Sequence, residues 1–397
     1  MSRFLSVATL AVLALTAGAV RGDDEPMFRD RPLSAWIAVL TSDKEVRHRQ
    51  GALIALERIG IAKSDKVLPA VNAALASAEQ DDVVREAAAQ ALGRMFDRFR
   101  QEGGNVRWDS ARDTLGTALR GDKSPPVRAA AATALGRMED DAVKAIPDLK
   151  AALKDGQQAV RAAAADALRR IAASPDRDAP KLVADALPEL EQLVKDKNAD
   201  HLGRAAAALA IGQVGAPEAL PAVATLGDTA ADDKAPADVR KAAAEALGRL
   251  GEDAGAAAGK LAAVLTAADA PPEVRRAAVE ALDRFGPAAK PAAPALKKAA
   301  SDGDKFTRVL SLHALGRLGP DLGADAKDVL AVLILRFDDD LIEVRVAAIQ
   351  AVGAFGRDAL GAGLNDAVAR LTIAAGDSRP EVRDAATAAL ARLKGNP

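Results

Sequence analysis

A Val-Arg dipeptide followed by alanines at fixed distances recurs along this chain, and it constrains the fold more than any other feature. Three copies read DVVREAAAQALGRM (82–95), PPVRAAAATALGRM (125–138) and ADVRKAAAEALGRL (237–250). With the arginine as anchor there are ten copies: Arg49, Arg85, Arg128, Arg161, Arg204, Arg240, Arg275, Arg308, Arg345 and Arg383. Their spacings run from 33 to 43 residues. Three residues after the anchor stands alanine in nine copies, with Ser311 the exception, and six residues after stands alanine in all ten. Position +7 is always aliphatic, and position +10 is always apolar, from Ile59 through Met138 to Leu393. At ~100° per residue, offsets −1, +3, +6, +7 and +10 share one arc of a helical wheel. The pattern is therefore the buried stripe of an amphipathic helix, written ten times.

A second helix precedes each anchor helix, as in IPDLKAALKDG (146–156) and ALPELEQLVKD (186–196). Proline near its start (Pro147, Pro188, Pro221, Pro294) loses little, because first-turn N–H groups have no helical partner. Glycine eleven residues after the anchor (Gly60, Gly215, Gly251, Gly286, Gly319, Gly356) is expected to close the anchor helix as a left-handed cap. Aromatics are 3% of the chain and tyrosine is absent, so β-rich cores have no building material, while alanine favours helix. One hairpin of about 37 residues this rich in alanine cannot stand alone, whereas a stack buries a continuous core. The expectation is an all-α solenoid over residues 33–397.

The spacing D-x(5)-R and the ending A-x-x-A-L-G-x-L-G resemble the HEAT repeat family, in particular the short bacterial HEAT-like repeats also seen in phycobilisome lyases. Aspartate stands six before the anchor at Asp43, Asp122, Asp155, Asp269, Asp302, Asp339 and Asp377, Glu79 replaces it once, and Asn198 and Lys234 break the rule. The resemblance implies a structural ladder in which these aspartates pair along the stack with Arg49, Arg128, Arg161, Arg275, Arg308, Arg345 and Arg383. Arg204 and Arg240 lack the usual acid and are expected to be the free members of the anchor row.

A second arginine row lies nine after the anchor, at Arg58, Arg94, Arg137, Arg170, Arg249, Arg284, Arg317 and Arg392. In the last helical turn a cation complements the dipole. The same row, chiefly Arg137, Arg170, Arg249, Arg284 and Arg317, is the candidate contact for a protein partner. Acids at +5 (Asp166, Glu245, Glu280) would partly neutralise it.

The formal net charge of −2 and the absence of a basic block weigh against nucleic acid as a partner. His48, His201 and His313 are scattered over three repeats, and there is no cysteine, so no metal site and no cofactor is expected. HEAT-type hydroxylases hold iron through His–Glu pairs, which this sequence does not contain. The glycines of L-G-R-L-G are read as belonging to helix ends. Trp36 is expected to seal the first hairpin, and the stretches at 98–108 and 173–181, which lengthen two repeats, are candidate partner-specific loops.

Residues 1–22 read as a secretory signal peptide, with Arg3, an apolar run from Phe4 to Ala17, and cleavage after Ala19 or Gly22. Residues 23–32 are expected to be a linker, and no later run is apolar enough to span a bilayer. The functional expectation is an exported, non-enzymatic scaffold that binds protein along a curved surface. The alternatives are an enzyme of bilin-lyase or hydroxylase type on the same fold, or a structural spacer that self-associates through its last repeat.

Overall fold

Each anchor lies near the start of a helix that follows another no longer than itself, and the ten hairpins stack in chain order. The computed structural model describes residues 25–60, 64–102 and 106–395; the signal-peptide reading falls on residues outside that range. The anchor helices are Val46–Ile59, Asp82–Gln101, Pro125–Arg137, Gln158–Ala172, His201–Val214, Ala237–Leu250, Pro272–Phe285, Lys305–Leu318, Ile342–Leu360 and Pro380–Lys394. We refer to them as the inner helices of repeats one to ten. Consecutive inner helices pack far more extensively than consecutive preceding helices do. The stack therefore curves, with the inner helices on its concave side.

The periodic stripe is the core. Ala131, Ala134, Leu135 and Met138 are buried in repeat three, and the same offsets are buried along most of the stack. Burying a leucine side chain is worth roughly 2 kcal/mol, too little for a hairpin holding only a few of them. Stability comes from shared faces between neighbours.

Small residues set how close those neighbours come. A Cβ on Gly136 would lie 2.7 Å from the Ala167 Cα of the next repeat, and one on Gly212 would lie 2.5 Å from the Ala246 Cα. These glycines, eight after the anchor, are helical and serve close approach, not helix termination as read from the sequence. The glycines eleven after the anchor divide. Gly251 (φ 64, ψ −142) and Gly356 (φ 73, ψ 161) reach positive φ, as do Gly215 and Gly286, but with an extended ψ in place of the left-handed helical cap expected. Gly60 and Gly319 remain right-handed and make room instead for Met95 and for the ring of Phe355.

Met27–Phe28 pairs antiparallel with Arg31–Pro32, so part of the stretch expected as a linker forms a small hairpin. Trp36 Nε1 donates to the Phe28 carbonyl at 3.0 Å, and Arg31 lies 5.3 Å over the indole. The second tryptophan, Trp108, is buried edge-on against Phe96 (5.2 Å) and Phe99 (6.0 Å). At the last repeat, Thr387 is exposed at an offset that is apolar and buried in the other nine. That helix turns Asp384, Thr387 and Lys394 to solvent.

Candidate functional site

The anchor arginines reach forward to the next repeat. Arg85 Nε and Nη2 form a two-point fork on the Asp122 carboxylate at 2.7 and 2.9 Å, and Arg128 does the same on Asp155 at 2.8 and 2.9 Å. Arg275 pairs with Asp302 at 2.9 Å, and Arg308 reaches Asp339 at 3.4 Å. Each guanidinium also donates to a carbonyl of its own turn, as Arg128 Nη1 does to the Asp122 oxygen at 2.8 Å. The carboxylate meanwhile accepts the N–H two residues on, Ser124 for Asp122 and Gln157 for Asp155. Turn, helix start and neighbouring repeat are thus tied at one point. Burial pushes the Asp122 carboxyl up, but the Arg85 fork and the Ser124 N–H outweigh it and hold it below its ordinary value. The Arg128 fork holds Asp155 down in the same way.

Several ladder members are placed differently from the sequence reading. Arg49 pairs with Asp81, not with Glu79, because Asp81 is the acid at the start of the second inner helix. Asp43 offers Arg49 only its carbonyl, at 2.7 Å, and its carboxylate takes His48 at 3.1 Å. Arg161 finds no acid at Asn198 and donates to the Asp155 carbonyl. Asp269 is exposed and joins no ion pair among the described residues. Arg345 and Arg383 donate to the carbonyls of Asp339 and Asp377, and the Asp377 carboxylate takes Arg379 at 2.8 Å. Arg204 and Arg240, expected to be free, are instead the most buried of the row at 5% exposure each. They form no ion pair among the described residues and donate to the Val194 and Ala230 carbonyls, both at 3.1 Å.

The second arginine row lies along the concave rim and is largely occupied. Arg94 pairs with Glu57 (2.9 Å), Arg137 with Asp97, Arg170 with Asp166 (2.8 Å) and Arg317 with Asp283 (3.2 Å); Arg249 donates to Gln213. Arg284 lies beside Arg249, Glu245 and Glu280 and joins no ion pair among the described residues. The row thus offers less free charge than its spacing suggests. What the concave face does offer is an apolar floor across repeats three to five. In repeat five Leu202 is 62% exposed, with Ala205, Ala206 and Leu209 half-buried beside it. Repeats three and four continue it with Ala129, Ala159 and Ala163. Contiguous exposed apolar surface on a soluble fold marks contact sites. Repeats six and seven put Lys241, Glu245, Arg276 and Glu280 on the same offsets.

A family model described as HEAT repeats matches residues 112–200 and 260–342. Those two stretches carry HEAT repeats. No curated protein matches it. Among solved structures, a crystal structure of a Kap121p mutant is 15% identical with a TM-score of 0.50, over 91% of this chain and 45% of that one. Kap121p bound to Pho4p is 14% identical with a TM-score of 0.46 and the same coverage. An engineered protein is 22% identical over 63% of this chain and 97% of its own, with a TM-score of 0.40. The chain spans about half the length of the Kap121p chains it matches, and the likeness is one of fold.

Within this HEAT array, no group of three or more His, Cys, Asp or Glu side chains among the described residues is placed to hold a metal ion. No helix among them is long and apolar enough to cross a membrane. The apolar floor at Leu202 was missed in the sequence because its members are spread over three inner helices. The signal that marks it is the run of apolar residues at offsets −2, +1, +2 and +5 in repeat five.

Proposed function

We propose that this HEAT-repeat protein is an exported, non-enzymatic scaffold that binds a protein partner on its concave face. The observation that carries the reading is the exposed apolar floor centred on Leu202 and Leu209, on the side where ten inner helices form one continuous surface. Export rests on the sequence of residues 1–22. It implies that the mature chain begins at Val20 or Asp23, which N-terminal sequencing of protein from the envelope fraction checks.

A photo-crosslinking residue at position 202, with position 335 on a preceding helix as control, tests the binding site; Leu335 is 61% exposed, so access is matched. The expected result is one defined adduct from position 202, absent from 335 and abolished by Leu209→Asp. Equal labelling from both positions, or an adduct indifferent to Leu209→Asp, overturns the reading.

A further inference from the structure

The bridges between repeats change chemistry in the middle of the array. Among the described residues, arginine–carboxylate pairs cross every junction from repeat one to repeat four, with Arg49–Asp81, Arg85–Asp122 and Arg128–Asp155. They cross every junction from repeat seven to repeat ten as well, with Arg275–Asp302, Arg308–Asp339 and Arg370–Asp338. None crosses the three junctions between repeats four and seven. The ion pairs there are Lys150–Glu189, Lys154–Glu189, Lys197–Asp232, His201–Asp238 and Lys260–Asp228.

The two chemistries constrain movement differently. Arg85 and Arg128 are 13% and 16% exposed and hold their acids at two points, which fixes both distance and angle. Lys154 and Lys197 are both 71% exposed, single-point charges on flexible stems, and such pairs contribute little. The anchor arginines that would have forked forward at these junctions do not: Arg204 and Arg240 sit on carbonyls of their own repeats, and Arg161 donates to the Asp155 carbonyl and joins no ion pair among the described residues. On the concave side the inner helices meet through small residues, at these junctions as in the arginine-bridged segments, so what sets the central junctions apart is the missing fork on the other side. Gly212 meets the Ala246 backbone directly, with no side chain interleaved. A backbone contact without interlocking side chains permits rotation about itself, whereas ridges packed into grooves resist it.

We infer that the array bends at repeats five and six, between two stiff segments made of repeats one to four and repeats seven to ten. The inner-helix contact at Gly212 and Ala246 is the pivot, and the turns carrying Asn198 and Lys234 separate or close. The joint lies under the Leu202 floor, so bending there changes the curvature of that surface.

The chain contains no cysteine, so paired spin labels can be placed without background. Labels at Ala159→Cys and Glu280→Cys span the three lysine-bridged junctions, and labels at Ile54→Cys and Ala159→Cys span the three arginine-bridged ones. Pulsed dipolar spectroscopy is expected to give a distance distribution at least twofold broader for the first pair. Asn198→Asp with Lys234→Asp supplies acids for Arg161 and Arg204 and should narrow the first pair towards the second. Asp122→Asn with Asp155→Asn removes two forks and should broaden the second, with circular dichroism confirming helix content in each variant. Equal widths in the parent chain overturn the inference. So does a fork-restoring variant that folds and leaves the first width unchanged.

Discussion

Ser311 occupies the third position after its anchor, where nine repeats have alanine, and it is fully buried with an unpaired hydroxyl. A buried hydroxyl without a partner costs about 1–3 kcal/mol. Ser311→Ala is therefore expected to stabilise the protein by roughly 1 kcal/mol, read as a higher urea midpoint at unchanged slope. A lower midpoint would show that the hydroxyl contributes a bond after all. Two glycines give the opposite pair of outcomes from one chemical change. Gly212→Ala forces a methyl against the Ala246 backbone and should cost about 1–3 kcal/mol. Gly259→Ala, in the helix Ala258–Thr266 with nothing within 4 Å of the new atom, should gain about 0.5–1 kcal/mol. Thermal melts of both variants check the contrast, and a shared sign would contradict it. Close approach and helix termination both select glycine, so the L-G-R-L-G sequence alone did not distinguish them.

A helix start shows how several weak terms combine. Asp304 caps Lys305–Leu318 by accepting from the Thr307 N–H and hydroxyl, both at 2.9 Å, and it also accepts a fork from Arg276 at 2.7 and 2.8 Å. Burial pushes its carboxyl up, but Arg276 and Thr307 outweigh that and hold it at about 2. A depressed folded pKa means that the stabilisation is complete above the unfolded value near ~4 and is lost as pH falls towards 2. Asp304→Asn should therefore lower stability at pH 7 by about 1–2 kcal/mol and flatten the parent's fall in stability between pH 4 and 2. Denaturant titrations at pH 7, 4 and 2 test this, and a parent–variant gap unchanged at pH 2 would refute it. At this scale the sequence was most legible where information is local. The stripe through Ala131, Leu135 and Met138 and the proline-led starts of the preceding helices follow from helical period and backbone chemistry. Pairings were less legible because they depend on reach in three dimensions. Arg94 finds Glu57 and Arg317 finds Asp283 one repeat back, while Arg204, whose forward acid Asp232 is paired by Lys197, turns inward where a free side chain was expected. The Leu202 floor was illegible for a related reason, since it exists only when three inner helices are set side by side.

A stack in which each repeat touches only its neighbours is expected to transmit damage poorly, because stability is close to a sum of repeat and junction contributions. The forks belong to that sum: Arg85 and Asp122 are both largely shielded, and removing one partner leaves the other charge without its compensation. Asp122→Asn should therefore loosen the inner helices of repeats two and three, Asp82–Gln101 and Pro125–Arg137. The inner helices Pro272–Phe285 and Lys305–Leu318 should keep their parent protection, since the lysine-bridged junctions lie between. Native-state hydrogen exchange resolves this helix by helix. The expected pattern is a loss of at least tenfold in protection confined to the first segment. A uniform loss across all ten repeats would mean that the array opens as one cooperative unit, with the central junctions as strongly coupled as the rest. The confined pattern would show that stability in this protein is set junction by junction, so the position of each Arg–Asp pair along the chain decides which part of the curved surface stays rigid.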